Sequence, residues 1–475
     1  MRAMRLLIVG GGPVGLVAAA GFARDGHRVI CAEQDERRYD ALSRGAVPFF
    51  EPGLDALVSD AVRSGRLSFV RRVADAPGCE LAMIAVGTPS KVSGEVELRF
   101  VLDALGEVVQ WARDPLVLAM KSTVPPGTGA RLEAHFLRAA GKPIQYVANP
   151  EFLREGHAVQ DWVLPTRTVV GAHEAGALGL LRELYAGVQA PFFATDTTTA
   201  EMIKYASNAF LATKVSFINE IANLCEVLGA DVEEVADAMG ADPRIGPDYL
   251  QAGVGYGGSC FPKDTRAFNA ISDANGYPFR LLKAVIEVNA YQRRRAVRRI
   301  AEALGGGLQG ARVAVLGVAF KAETDDVREA PALEIIPHLI EMGAQVTVYD
   351  PRAMAAARSA LPNAVAFARD PYEACAGAHA VMVLTAWPEF AALDWARVRR
   401  GMAAHYIVFD GRNCLPDTLG GVGLRHLRVG RPEPDPGPPE PSVTGDRMGA
   451  PSLVGGNPLK SGAVMVQGPS GGDQG

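Results

Sequence analysis

The sequence predicts an α/β protein with two doubly wound parallel sheets joined by a long central helix. In two places a short apolar strand runs into a glycine turn, once from Leu6 and again from Arg312. Between them, residues 199 to about 228 follow one long helical pattern. Apolar strands that alternate with helical stretches are typical of a parallel sheet covered by helices on both faces.

The first strand leads into a glycine pattern that is typical of a dinucleotide site. The spacing GxGxxG is formed by Gly10, Gly12 and Gly15. The first glycine permits a tight turn, the second lets the backbone approach a pyrophosphate, and the third allows close packing of helix on strand. The helix that follows would direct its positive N-terminus towards the phosphates.

An acidic residue completes this pattern. Glu33 ends the second strand, at the distance where a side chain binds ribose hydroxyls. A carboxylate there favours NAD over NADP because it would repel a 2′-phosphate. The sequence therefore predicts a Rossmann-like NAD-binding domain over residues 1–198. Thr88 and Thr123 each follow a further buried strand, so each is either a cofactor contact or an ordinary turn hydroxyl.

The run from Gly255 to Asp264 places one thiol in a glycine-rich loop. Pro262 favours a helix that begins directly behind Cys260, and the positive end of that helix, with Lys263, would favour the thiolate. The glycines would leave room for a substrate. A buried structural cysteine is the usual alternative, but the glycines favour a prepared nucleophile.

Two further groups of polar residues lie in the middle of the chain. Lys204 and Asn208 are four residues apart on the long helix, so they share one face. Together they could hold a developing oxyanion, although such a pair is usually a solvated stripe. Glu151 and Glu155 flank Arg154 in one loop, which is more charge than packing alone explains.

Composition excludes several classes of protein. The chain has 48 basic and 53 acidic residues, a formal charge of −5, which argues against a dedicated nucleic-acid-binding protein. Its six cysteines form no CxxC pair, so neither a metal site nor a disulfide scaffold is predicted, and a reducing, cytoplasmic setting is expected. The uncharged stretch from Leu6 to Ala23 is broken by glycines, and no membrane span is predicted.

Ordered motifs along the chain resemble the UDP-glucose/GDP-mannose dehydrogenase family. They cover about residues 4 to 430 and are GxGxxG at 10–15, Glu51–Leu54, Gly87–Pro89, Lys121–Pro125, Asn149–Gly156, Glu201–Asn208, Gly255–Asp264, Gly317–Lys321, Asp325–Glu329 and Asp410–Asn413. Within the family, Asp242–Gly246 before the cysteine loop is most similar to the branch that oxidises UDP-glucose.

The resemblance implies a four-electron oxidation of UDP-glucose to UDP-glucuronate with two NAD. Cys260 would trap the aldehyde as a thiohemiacetal, which becomes a thioester and is released by water. Lys204 and Asn208 would stabilise oxyanions, and Asp264 would act with Lys204 in proton transfer. Glu151 and Thr123 would position or activate the attacking water. The six implied catalytic residues are therefore Cys260, Lys204, Asn208, Asp264, Glu151 and Thr123.

The resemblance also implies two sets of binding residues and a homodimer built on residues 199–300. NAD would contact Gly10, Gly12, Val14, Gly15, Glu33, Arg38, Thr88, Thr123, Glu155, Lys263 and Arg328. The nucleotide sugar would contact Glu151, Phe152, Leu153, Arg154, Glu155, Lys204, Asn208, Arg244, Tyr249, Leu250, Gln251, Ala252, Gly253, Gly257, Lys321 and Arg412.

The second strand–glycine unit predicts a second Rossmann-like domain over residues 301–430. Its next strand ends in an acid, Asp350, but the unit lacks GxGxxG, so a UDP group is the expected occupant rather than a dinucleotide. A structural duplicate without ligand is the alternative, and Lys321 directly after the turn favours the ligand.

The last part of the chain differs in composition. In residues 431–475, 19 of 45 residues are Pro or Gly and none is aromatic. Such a segment cannot bury enough apolar surface to fold alone, so we expect it to be disordered.

Three alternative functions stay open at this point. The same chemistry could act on UDP-N-acetylmannosamine or GDP-mannose. A two-electron dehydrogenase would form one NADH per product, and a catalytically silent binding protein would form none.

Overall fold

Eight strands form the N-terminal sheet of the computed structural model, which describes residues 2–113 and 115–432. They are β1 (Arg5–Val9), β2 (Arg28–Ala32), β3 (Leu67–Val70), β4 (Leu81–Ile84), β5 (Leu116–Met120), β6 (Ile144–Ala148), β7 (Thr168–Ala172) and β8 (Phe192–Thr195). The spatial order is β3-β2-β1-β4-β5-β6-β7-β8. Every neighbouring pair is parallel except β6 and β7, which are antiparallel.

Helices cover both faces of this sheet. They are α1 (Pro13–Arg24), α2 (Glu36–Ser43), α3 (Leu54–Arg63), α4 (Arg99–Trp111), α5 (Thr128–Arg131), α6 (Arg138–Ala140), α7 (Ala158–Val163) and α8 (Ala175–Leu184). Alternate residues of β1 enter two separate cores, Leu6 and Ile8 on one face and Leu7 and Val9 on the other. A strand buried on both faces must be apolar throughout, which explains the uninterrupted apolar runs in the sequence.

Four helices form the middle of the chain. They are α9 (Thr197–Leu228), α10 (Val232–Gly240), α11 (Phe261–Ala274) and α12 (Arg280–Ala303). The Asp196 side chain caps α9 by accepting a hydrogen bond from Thr199 N at 2.8 Å, and Gly229 ends the helix with a φ of 78°. The predicted long helix is therefore confirmed, with a start two residues earlier than the pattern indicated.

A six-stranded sheet forms the C-terminal half. Its strands are β9 (Arg312–Leu316), β10 (Gln345–Tyr349), β11 (Ala366–Phe367), β12 (Ala380–Val383), β13 (Ile407–Asp410) and β14 (Arg425–Arg428), in the parallel order β11-β10-β9-β12-β13-β14. The helices are α13 (Ala332–Glu341), α14 (Met354–Ala360), α15 (Pro371–Cys375), α16 (Pro388–Ala391) and α17 (Trp395–Gly401). The order of strands repeats that of β1 to β6, so the predicted second Rossmann-like half is confirmed.

Two further expectations concern the ends of the fold. Within the described residues, no helix combines the length and the apolar character that a membrane crossing requires. The predicted disordered tail begins at Arg431, and everything after residue 432 lies outside the described part of the chain.

Candidate active site

The glycine turn after β1 has the geometry that the fingerprint predicted. Gly10 has a φ of 108°, and a Cβ on Gly15 would lie 1.9 Å from the Gly10 carbonyl oxygen, so the helix and strand are in backbone contact there. A Cβ on Gly12 would meet no atom within 4 Å. Gly12 therefore faces open space at the N-terminus of α1, where the backbone can approach a pyrophosphate.

Glu33 lies buried at the end of β2 and is fixed by two backbone donors. Its carboxylate accepts hydrogen bonds from Gly11 N at 2.9 Å and from Asp35 N at 2.8 Å. A carboxylate oxygen has a further lone pair for a hydroxyl, so this arrangement fits the ribose of NAD. Thr88 is buried at the turn after β4, whereas Arg38 is exposed on α2.

Cys260 is the N-cap residue of α11, with Pro262 in the first turn, as the sequence predicted. Its Sγ lies 3.6 Å from Ser259 Oγ. Burial raises the pKa of the Cys260 thiol, and the charge of Lys204 offsets this increase only in part. The expectation that nearby cations favour the thiolate holds in direction, since Lys204 and Lys263 both lower this pKa, but desolvation outweighs them in this structure.

A buried ion pair lies beside this thiol. Lys204 Nζ is 2.9 Å from Glu151 Oε1, and their side chains are only 4% and 7% exposed. Burial alone would raise the pKa of Glu151, but attraction to Lys204 and its hydrogen bond hold that pKa below the usual value. Glu151 is thus kept ionised, as a proton acceptor must be.

A second pair of polar side chains joins α9 to α11. Asn208 Nδ2 donates a hydrogen bond to Asp264 Oδ2 at 2.6 Å, and Asp264 also contacts Lys263. Lys204 and Asn208 are both buried on one face of α9. The shared face that their spacing predicted is therefore present, and it is a buried face rather than a solvated stripe.

Thr123 lines a small cavity at the end of β5. The same cavity is lined by Lys204, Pro150 and Glu201, which places the threonine hydroxyl near the ion pair. Sequence reasoning gave Glu201 no role. Its buried carboxylate accepts hydrogen bonds from Gly127 N at 2.7 Å and Gly129 N at 2.8 Å, so it anchors the loop that carries Thr123.

Glu51 anchors the neighbouring loop in the same way. Its buried carboxylate accepts hydrogen bonds from Gly156 N at 2.7 Å and Ala158 N at 2.8 Å, at the end of the loop that carries Glu151. The Glu-Pro-Gly-Leu motif marks Glu51 in the sequence, but the motif alone does not indicate which loop the carboxylate holds.

The glycines around Cys260 serve a different purpose from the predicted one. A Cβ on Gly255 would lie 2.5 Å from Asn289 Oδ1, one on Gly257 would lie 2.3 Å from Glu329 O, and one on Gly258 would lie 2.7 Å from the Phe320 ring. The interpretation that these glycines leave room for a substrate is wrong, because other parts of the chain fill that space.

The predicted sugar loop at 249–253 has mixed surroundings. Leu250 and Ala252 are buried in the C-terminal core, so their side chains do not face a ligand. Gln251 is exposed, and Tyr249 has a φ of 65°, which few residues other than glycine adopt. What Leu250 and Ala252 can offer a ligand is their backbone.

Two predicted substrate arginines are bound elsewhere. The Arg244 guanidinium pairs with Asp242 at 2.6 Å and is 86% exposed, so it does not join the buried Lys204–Glu151 pair. Arg154 pairs with Asp161 at 2.6 Å. Phe152 stacks under Arg167, whose guanidinium carbon lies 3.9 Å from the ring centroid.

The C-terminal half brings cations to the same region. Arg412 is half-buried and donates to Leu384 O at 2.8 Å and Gly255 O at 2.9 Å, so it joins the second sheet to the cysteine loop. Lys321 directly follows Phe320 and is half-buried.

Glu155 links three segments of the site. It accepts hydrogen bonds from Thr324 Oγ1 at 3.0 Å and from Ser259 Oγ at 3.5 Å. Burial, with the charge of Asp326 nearby, raises the pKa of Glu155 to about 7. Asp326 itself pairs with Arg328 at 2.6 Å.

Family models match most of the chain in three consecutive pieces. The NAD binding domain of the UDP-glucose/GDP-mannose dehydrogenase family matches residues 4–189, its central domain residues 198–291 and its UDP binding domain residues 314–417. The chain belongs to this family. NAD is its cofactor, as Glu33 and the glycine fingerprint predicted.

Similar proteins come from bacteria and archaea. A UDP-glucose 6-dehydrogenase of Rhizobium meliloti is 43% identical, over 90% of this chain and 100% of its own length. The structure of a UDP-glucose dehydrogenase from Pyrobaculum islandicum is 40% identical, with a TM-score of 0.84, over 90% and 98% of the two chains. That of a UDP-D-ManNAc dehydrogenase from Pyrococcus horikoshii is 26% identical, with a TM-score of 0.81, over 90% and 99%.

Two alanine substitutions in the glycine turn should separate binding from stability. Gly12→Ala adds a methyl group to open space, so the free energy of unfolding should change by less than about 0.5 kcal/mol. NAD affinity should fall at least about tenfold, which is about 1.4 kcal/mol, because the methyl group blocks the pyrophosphate. Calorimetric titration with NAD and urea denaturation measure the two effects.

Gly15→Ala is the matched comparison. Its methyl group would overlap the Gly10 carbonyl, so the variant should lose about 1–3 kcal/mol of stability by overpacking. An NAD affinity of Gly12→Ala equal to that of the parent protein would contradict the location of the pyrophosphate.

Proposed function

We propose that this protein oxidises UDP-glucose to UDP-glucuronate, with two NAD per substrate and Cys260 as the covalent nucleophile. The observation that supports this most is the thiol at the start of α11 beside the buried Lys204–Glu151 pair. Under the proposal, residues 1–198 bind NAD, residues 199–300 carry the catalytic helices, and residues 301–430 bind the UDP group.

In the first oxidation, carbon 6 of the sugar loses a hydride and the hydroxyl group on it loses a proton. NAD, when bound, accepts the hydride in each of the two oxidations. Asp264, with Lys204, receives the hydroxyl proton through a water. The charge of Lys204 and the amide of Asn208 stabilise the alkoxide that precedes hydride loss.

The sulfur of Cys260 then adds to the aldehyde carbon, and the carbonyl oxygen becomes the hydroxyl of a thiohemiacetal. Because burial raises the pKa of this thiol, its proton must leave while the carbon–sulfur bond forms. The charge of Glu151 acts on the thiol, so Glu151 can accept this proton and pass it to the carbonyl oxygen, which leaves Glu151 ionised again. Asn208 and Lys204 stabilise the oxygen as it gains charge.

The thiohemiacetal then loses its second hydride from carbon 6 and its hydroxyl proton to water, which leaves a thioester on Cys260, and hydrolysis completes the cycle. Water attacks the acyl carbon, the carbon–sulfur bond breaks, and the thiol regains a proton. Glu151 is suited to accept the proton of the attacking water because Lys204 keeps it ionised. Thr123, which lines the cavity beside Lys204, orients that water.

The choice of sugar rests on the relatives and on the UDP site. Two relatives whose names specify glucose are 40% and 43% identical to this chain, whereas the UDP-D-ManNAc dehydrogenase is 26% identical. Lys321 and Arg412, at the carboxyl edge of the second sheet, supply positive charge for a diphosphate. Asp350 already accepts hydrogen bonds from five donors within the domain, so it does not copy the ribose-binding role of Glu33.

Incubation with a panel of nucleotide sugars tests this function. The protein should form two NADH per UDP-glucose and release UDP-glucuronate, because the thioester is the product of the second oxidation. The Cys260→Ser variant should form no more than one NADH per UDP-glucose. Absorbance at the NADH maximum and product chromatography measure both quantities.

Three results of the panel would refute the proposal. Faster turnover of GDP-mannose or UDP-N-acetylmannosamine than of UDP-glucose would show that another nucleotide sugar is the substrate. One NADH per product, or full activity of Cys260→Ser, would indicate a two-electron dehydrogenase. Absence of NADH with every sugar would indicate a binding protein.

The proposed enzyme is a homodimer joined along α9. Large apolar side chains on this helix are exposed at a spacing of seven, seven and four residues, at Phe210, Phe217, Leu224 and Leu228. Each is between 47% and 71% exposed. An exposed apolar stripe of this kind on a long helix is typical of a surface that a second helix covers.

A paired substitution on this stripe tests the dimer. Phe210→Ser with Phe217→Ser should convert the protein from dimer to monomer in sedimentation velocity, because both rings would lie at the contact. Phe100→Ser is the control, since Phe100 on α4 is also exposed, at 42%, but lies outside the stripe. A parent protein that sediments as a monomer would refute the dimer.

A further inference from the structure

Three buried polar side chains of α12 hold the loop that leads to Cys260. Asn289 accepts a hydrogen bond from Tyr256 N at 2.8 Å and donates to Tyr256 O at 3.1 Å. Gln292 donates to Gly253 O at 3.0 Å. Arg293 donates to Tyr256 O at 2.6 Å. The spacing of three and four residues places these side chains on one face of the helix.

Arg293 also reaches the C-terminal half. The same terminal nitrogen that contacts Tyr256 lies 3.3 Å from Glu329 O, and its other terminal nitrogen pairs with Glu334. The residue is only 3% exposed. One planar guanidinium therefore joins a carbonyl four residues before Cys260 to a carbonyl of the segment that follows β9.

The two joined segments are in direct contact elsewhere. Gly258 N donates to Arg328 O at 3.1 Å, and the backbones meet at Gly257 and Glu329 so closely that no Cβ fits between them. Lys321 and Arg328 lie in this C-terminal segment, so a ligand that binds there acts on the same backbone that Arg293 holds. The position of Cys260 is thus set partly by the C-terminal half.

The proposed chemistry makes no use of Arg293, although a buried cation is costly to maintain. Burying a charge is tolerated only where it is paired and hydrogen-bonded. Here the planar guanidinium of Arg293 contacts two backbone carbonyls and one carboxylate. One terminal nitrogen of Arg293 meets the two carbonyls and the other meets Glu334. The ammonium of a lysine is a single point, so it could not serve the carbonyls and the carboxylate together.

We propose that Arg293 is a positioning residue that holds Cys260 against carbon 6 of the sugar once the nucleotide is bound to the C-terminal half. The assignment rests on the proposed function, since it assumes a covalent aldehyde intermediate. The first oxidation does not need the sulfur, whereas capture of the aldehyde does. A displaced Cys260 loop therefore allows the aldehyde to leave before the carbon–sulfur bond forms.

Loss of aldehyde is the measurement that separates positioning from a merely structural role. UDP-glucose and NAD are incubated with each variant in the presence of hydroxylamine, which condenses with a released aldehyde to an oxime and water. Parent protein should form two NADH per sugar and little oxime. Arg293→Met should form between one and two NADH per sugar, and the oxime should account for the missing NADH.

Two further variants complete the experiment. Arg293→Lys should give an intermediate yield of oxime, because it keeps the charge but cannot contact the carbonyls and Glu334 together. Arg298→Met is the control and should behave as the parent, since Arg298 lies on the same helix, is exposed, and pairs with Tyr291 and Glu302. If circular dichroism shows that Arg293→Met does not fold, Arg293→Lys decides by the same criterion.

The outcomes are distinct for this inference and for the proposed function. Two NADH per sugar and no oxime with the deciding variant, at any rate of turnover, would reduce Arg293 to a structural role. Failure of the parent protein to oxidise UDP-glucose would instead overturn the proposed function, and the assignment of Arg293 with it.

Discussion

A cation and a carboxylate buried together, Lys204 and Glu151, are the constraint on which the site depends. Removing each charge from water costs several kcal/mol, which is offset only where the partners are close and further hydrogen-bonded. At 2.9 Å the pair meets this condition. Because one partner lies on α9 and the other follows β6, the pair also fixes the long helix against the carboxyl edge of the NAD-binding sheet. The charge of Lys204 then acts on Cys260, where it opposes the effect of burial.

The position of Cys260 follows from tertiary contacts on both sides of its loop. Arg412 holds the carbonyl of Gly255 from the second sheet, and α12 holds the backbone at Tyr256. Glycines allow these approaches at the places where a side chain would collide with the opposing chain. Cys260 therefore belongs structurally to the C-terminal half as much as to the helix that it caps. Under the proposed function, binding energy from a distant UDP group is used in this way at the reacting carbon.

The sequence was sufficient to predict an element where the local pattern of apolar residues matches the burial of that element in the fold. The buried strand predicted before Thr123 is Leu116–Met120 in the structure, and its pattern was clear because burial on both faces leaves no polar position in it. Edge strands such as Phe192–Thr195 were missed, since exposed residues interrupt the pattern. The direction of the pKa shift of Cys260 could not be predicted either, because desolvation depends on chain segments far away in sequence. Arg293 gave no signal, since its partners are two backbone carbonyls and the carboxylate of Glu334, all far from it in sequence.

The central claim is that the substrate is oxidised while it is bound to Cys260. Acid quenching of the Glu151→Gln variant during turnover of UDP-glucose, followed by peptide mass spectrometry, tests it directly. Hydrolysis should be slowed in this variant because the acceptor for the proton of water is lost. The account predicts a peptide in which Cys260 carries the UDP-glucuronyl group as a thioester. Turnover to UDP-glucuronate with an unmodified Cys260, or with the acyl group on another residue, would contradict it.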